Sequence, residues 1–158
     1  MQFIFYQRTL NTGYNLRYWE ELTIAFFIKV FMEHSILITV DDQRKIIYYY
    51  HKGFLKIEDI GSAWKRLLEL KEFTQFGYNL LCDYSEADFA FSFGSADLIW
   101  KFFHSIKDVL DNKKEAIITS SPQATAISYL FENETSKKLN FTIKTFSTRE
   151  VAIDWLCR

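Results

Sequence analysis

Glu115-Ala116-Ile117-Ile118-Thr119-Ser120-Ser121-Pro122 is a strand running directly into a helix start. Its middle is apolar and partly β-branched, which suits a pleated, buried surface. Ser121 can accept a backbone N–H as N-cap. Pro122 fits the first helical position, where a missing N–H costs nothing. The spacing predicts a helix from there to about Asn133. Upstream, Tyr78 to Cys82 is a short apolar run ending in Asp83 and reads as a buried strand. Between the two strands, Leu98, Phe102, Ile106 and Val109 recur at helical spacing, with Ile99, Phe103 and Leu110 widening the stripe. Ser92 or Ser95 can cap that helix, and Asp97 suits its positive first turn. Strand, helix, strand, helix implies parallel pairing with helices covering the sheet.

The same alternation extends outward in both directions. Ile57, Ile60, Trp64, Leu67 and Leu68 mark an amphipathic helix from about 57 to 72, with Gly77 as its stop. Before it, Ser35–Val40 and Ile46–Tyr50 are β-rich runs joined by the polar turn Asp41-Asp42-Gln43-Arg44, an antiparallel hairpin. Gly53 marks the end of the second strand region. Downstream, Leu139 to Phe146 alternates as a fifth strand, and Ser147-Thr148-Arg149-Glu150 reads as a capping box. The last helix should face Val151, Trp155 and Leu156 inward. The order is β-β-α-β-α-β-α-β-α, an α/β fold with a mixed, mostly parallel five-stranded sheet flanked by helices. Tyr84 to Phe93 shows no clear period and reads as a loop.

Composition agrees with one compact domain. The chain has 158 residues, 49% hydrophobic and 25% charged, which excludes intrinsic disorder. Nineteen basic residues oppose twenty acidic ones for a net charge of -1, against a general nucleic-acid binder. Two cysteines, Cys82 and Cys157, have no metal-ligand spacing, and no signal peptide is visible. Reduced thiols in the cytoplasm fit that pattern.

Residues 1–33 read as an extension to a domain spanning 34–158. Met32 is itself a candidate start, which would place the preceding residues upstream of the native chain. The apolar run Leu22–Met32 is interrupted by Lys29 and is shorter than the roughly 20 residues a membrane span needs. It is no transmembrane segment, but it leaves room for weak membrane contact or a homodimer interface.

From Ser35 onward the chain resembles the SpoIIAA-like family, the STAS/SEC14-type α/β domains. The resemblance rests on a strand ending near Gly53, the strand Leu80-Leu81-Cys82-Asp83 and the proline-started helix at Pro122. Its most specific part is the ending Phe146-Ser147-Thr148-Arg149-Glu150-Val151-Ala152-Ile153-Asp154-Trp155-Leu156. It implies an open mixed sheet flanked by helices. It also implies a STAS-like regulatory or binding module, since the wider group includes anti-sigma-factor antagonists switched by serine phosphorylation, and others that bind lipids or small ligands. The stretch Phe91-Ser92-Phe93-Gly94-Ser95 stands where the antagonists carry an Asp-Ser-Ser-Gly-like string. It lacks the acidic residue and the paired serines.

No Gly-x-Ser-x-Gly elbow, Gly-rich phosphate loop or metal spacing is present, so no cofactor or catalytic constellation is implied. The 83–95 loop is the expected functional surface, because α/β domains place binding groups beyond strand carboxyl ends. Asp83, Glu86 and Asp88 would form a polar rim, and Phe89, Phe91 and Phe93 an apolar lip, with Ser92 and Ser95 beside them. A protein partner or a small apolar ligand suits that surface. The alternative is a small-molecule enzyme with a crevice around Asp83, His51 and Ser120. Removing the residues before Met32 should leave folding intact. A chain beginning at Met32 is expected to melt cooperatively, with a midpoint within about 4 °C of the full chain by calorimetry.

Overall fold

A computed structural model describes residues 35–91, 94 and 96–158. The extension 1–33 with Met32 and the run Leu22–Met32 lies outside the described residues, as do Ser92, Phe93 and Ser95. The strands are β1 (Ser35–Asp41), β2 (Ile46–Leu55), β3 (Asn79–Phe89), β4 (Lys113–Thr119) and β5 (Phe141–Phe146). The helices are α1 (Ile57–Glu69), α2 (Lys71–Thr74), α3 (Ala96–Ser105), α4 (Lys107–Leu110), α5 (Pro122–Lys138) and α6 (Arg149–Leu156).

One five-stranded sheet runs in the order β1-β2-β3-β4-β5. The β1–β2 pair is antiparallel and the other three are parallel. The hairpin turn is held by Asp41, whose carboxylate accepts the Arg44 N–H and guanidinium, both at 2.9 Å. From β2 to β5 each crossover steps to the next strand in the same direction. Crossovers of one hand then put every connecting helix on one face. The larger core lies there, with Trp64, Leu67, Phe73, Ile99, Phe103 and Leu110 packed on inward residues of the sheet. Among the described residues only α6 covers the opposite face, where Ala152 and Leu156 meet Ile46, Leu81 and Ile118. Trp64 anchors the helical layer, with its ring in edge contact with Phe73, Phe102 and Phe103.

Ser121 caps α5 as its sequence requires, with Oγ accepting the Ala124 N–H at 3.0 Å. Several expectations change. The 57–72 helix is two helices, because Leu70 is extended (ψ 125) and breaks the run. Strand β2 continues through Gly53 to Leu55, so the glycine sits inside the strand at φ +89 rather than ending it. His51, expected in a loop, is therefore a buried strand residue. The last helix starts after Thr148, without a side-chain cap, so the Ser147–Glu150 box does not form. It buries Ala152 and Leu156, while Val151 is exposed. In α3 the inward stripe is Ile99 and Phe103; Leu98 is 60% exposed.

The most consequential change is in β3. The stretch from Tyr84 to Phe89, expected as loop, is strand paired with β2 through Leu55–Phe89. Strand β3 lies at the sheet centre, so an extended backbone there gains hydrogen bonds that a loop would forfeit.

The orientation of α3 is directly testable. Ile99→Ala should cost about 2–5 kcal/mol in a urea melt, as cavity formation in a packed core does. Leu98→Ser should stay within about 0.5 kcal/mol of the parent. Equal losses would reject this helix phase.

Candidate functional site

A bulge in β3 builds the site. Between the pairs Tyr50–Asp83 and Lys52–Glu86, β2 advances two residues and β3 three. The extra residue reverses which parity of β3 faces the larger core. Before it, Leu80, Cys82 and Tyr84 face that core; after it, Ala87 and Phe89 do, with Phe91 beyond the strand end. Asp83 holds the bulge. Its Oδ1 accepts the Ser85 N–H at 3.1 Å and the Ser85 hydroxyl at 2.6 Å. Ser120, at the end of β4, donates its hydroxyl to the Ser85 carbonyl at 2.7 Å.

The acidic and aromatic residues of 83–91 are thereby separated. Asp83, Glu86 and Asp88 share the face that carries α6. Glu86 is committed there to Lys52 at 2.7 Å and to the Tyr50 hydroxyl at 2.8 Å. Those two partners hold the Glu86 carboxyl below its usual value. Phe89 and Phe91 turn to the other face and stack on each other at 5.1 Å. They are a wall of the core rather than an exposed lip. Phe93, Ser92 and Ser95 lie outside the described residues.

The enzyme alternative is not assembled. His51 shares the face of Tyr49, with Nδ1 at 3.1 Å from the Tyr49 hydroxyl and Nε2 at 3.2 Å from the Phe54 carbonyl. Asp83 is on the opposite face, between Cys82 and Tyr84 in the alternation. Both Asp83 and Ser120 serve the bulge. Among the described residues, no three or more His, Cys, Asp or Glu side chains cluster to hold a metal.

Phe89 and Phe91 instead line a small, partly open cavity of about 40 Å³ among α1, α3, α5 and the sheet. Its walls include Trp64, Tyr84, Phe103 and Phe131, and two polar residues reach it, Glu115 from β4 and Ser128 from α5. Glu115 is 4% exposed. Its Oε1 accepts the Cys82 thiol at 3.1 Å, and its Oε2 has no hydrogen-bond partner. Burial pushes the Glu115 carboxyl up to about 7, with the Cys82 bond acting weakly the other way. Burial and the adjacent Glu115 raise the Cys82 thiol well above its ordinary value, so it is an inert hydrogen-bonding group and no nucleophile. The Tyr84 hydroxyl, on the same face of β3, is raised by burial and then by the neighbouring Cys82. The result is a buried Cys82–Glu115 pair ending on an oxygen with no partner among the described residues, beside largely apolar walls.

Glu115 was not singled out by the sequence. Its signal was position. A glutamate of the same parity as Ile117 and Thr119, in a strand buried on both faces, must point into the core.

No family model and no curated protein matches the chain. Solved structures do. One is an uncharacterised protein of the DUF3478 family with a SpoIIAA-like fold from Shewanella loihica PV-4. It has a TM-score of 0.56 and 20% identity, over 78% of this chain and 95% of that one. Another is an anti-sigma factor antagonist from Mycobacterium paratuberculosis. It has a TM-score of 0.53 and 12% identity, over 79% and 95%. The chain has a SpoIIAA-like fold. No helix among the described residues is long and apolar enough to cross a membrane.

Glu115 gives stability a pH slope of known sign. Its proton is held more tightly in the folded state, to about 7, than at the ordinary value of 4.5. The unfolded chain therefore releases that proton first, and stability falls as pH rises through that window. Thermal melts at about pH 5 and about pH 8 should show Glu115→Gln gaining on the parent at the higher pH. A parallel shift of both proteins would remove Glu115 as the source.

Proposed function

We propose that this domain is a non-enzymatic regulatory module that takes a small, mainly apolar ligand into the void under Phe89 and Phe91. The observation that carries this reading is Glu115 Oε2, a buried carboxyl oxygen without a partner among the described residues in a mainly apolar cavity. A core built only for stability excludes such a group, because an unsatisfied buried polar atom costs about 1–3 kcal/mol. Strongly shifted carboxyls in cavities are a mark of functional sites. Ligand pockets have this composition, apolar walls with few polar groups that fix orientation.

Size sets the mechanism of entry. The void of about 40 Å³ admits water, whereas a benzene-sized guest needs roughly 150 Å³. A ligand therefore enters by displacing a half-buried wall, and Phe91 is the one next to the strand end. Moving Phe91 alters the surface beyond β3, which supplies a route from occupancy to a protein partner. That output follows the anti-sigma factor antagonist only by analogy of fold. The unpaired Cys82 and Cys157 suit a protein of the reducing cytoplasm.

Native mass spectrometry of protein purified from its own host should show a small retained molecule, released on unfolding. Phe91→Ala removes the ring from the wall and should let benzene raise the melting temperature in a dose-dependent way. A host-purified protein without ligand, together with a Phe91→Ala variant blind to benzene, would reject the reading.

A further inference from the structure

The binding reading leaves the ligand's chemistry open, and the hydrogen-bond directions in the void restrict it. The two members of the buried pair have distinct roles. The Cys82 S–H donates to Glu115 Oε1 at 3.1 Å. That makes Oε1 the carbonyl-like oxygen of the acid and leaves the proton to Oε2. Oε2 has no partner among the described residues. The remaining polar contribution to the void is Ser128, itself 1% exposed.

We infer that Glu115 recognises its ligand as a neutral acid, donating from Oε2, and that the ligand is an uncharged apolar molecule carrying one acceptor oxygen, as in a ketone or aldehyde. This rests on the binding function proposed above. A carboxylate ligand is disfavoured, because it would bring a second negative charge against a buried carboxyl. An ammonium ligand would require Glu115 to ionise in a cavity that offers no other stabilisation for its charge. The titratable groups near Glu115 are Cys82 and Tyr84 on β3, and both are held neutral by burial. From α1, α3, α5 and β5 the void receives Ser128 and apolar side chains. On β4 Lys113 shares the face of Glu115, with its ammonium committed to the Val109 carbonyl, and His51 on β2 reaches the same core through Tyr49. Glu115 itself lines the cavity, so affinity falls as it ionises near 7.

The test is isothermal titration calorimetry with hexane, hexanone, hexanoate and hexylamine against the Phe91→Ala protein, with Glu115 intact, Glu115→Gln or Glu115→Leu. At about pH 6 hexanone should bind about tenfold tighter than hexane when Glu115 is intact, the value of one net hydrogen bond. Glu115→Gln keeps a donor and should keep the preference; Glu115→Leu should abolish it while still binding hexane. At about pH 8 the preference should collapse with Glu115 intact and persist in Glu115→Gln. Equal affinity for hexane and hexanone in all three proteins would overturn this inference and leave the binding function standing. Preference for hexylamine or hexanoate would overturn it in favour of a charged ligand. Failure of every probe, hexane included, would defeat the binding function itself.

Discussion

The bulge at Ser85 is the constraint on which the site depends. A strand at the centre of a sheet faces two layers with strict alternation, so a phenylalanine can reach the larger core only from one parity. Cys82 and Tyr84 occupy the even positions, and Phe89 and Phe91 the odd ones. Both sets face the same core because one extra residue is accommodated between them. The insertion has its own support in Asp83 and Ser120, which close on the two ends of the Ser85 peptide framework. Gly53, at φ +89, pairs with Ala87 on the neighbouring strand and gives the ladder the backbone freedom to resume.

Fold and site were legible to different degrees for a physical reason. The architecture depends on periodicity repeated over many residues, and a local error does not change it. The strand Glu115–Thr119, the Ser121-Pro122 start and the Trp64 helix are each set by several agreeing side chains, and all three stand in the structure. The site depends on single residues. A bulge cancels the period across its own length, so Tyr84 to Phe91 resembles a loop when only one period is sought. Two short alternations out of phase, Leu80-Cys82-Tyr84 and Ala87-Phe89-Phe91, are the sequence trace of a bulged strand. The same slip placed the aspartates beside the phenylalanines, where the sheet separates them by its full thickness.

Topology also bears on the usual location for an α/β site. Ligand crevices form where strand order reverses and neighbouring connections leave in opposite directions. This sheet runs β1 to β5 in sequence, so its parallel strands have no such reversal. The carboxyl ends are correspondingly occupied by structural bonds, those of Asp83, Ser85 and Ser120. The buried carboxyl of Glu115 lies instead between the sheet and the helices.

Stability and the proposed binding function therefore meet at one residue. Glu115 ends a hydrogen-bonded pair and leaves an oxygen with no partner among the described residues, in a layer otherwise held by Trp64, Phe103 and Phe141. Packing alone would favour leucine at this position, since replacing a buried charge by a hydrophobe of similar volume is commonly neutral or stabilising. A glutamate there lowers stability most at the pH where it must ionise. A group that burdens the fold in this way, among aromatic and aliphatic walls, is the arrangement the proposed recognition role requires, since a ligand would complete its hydrogen bonding.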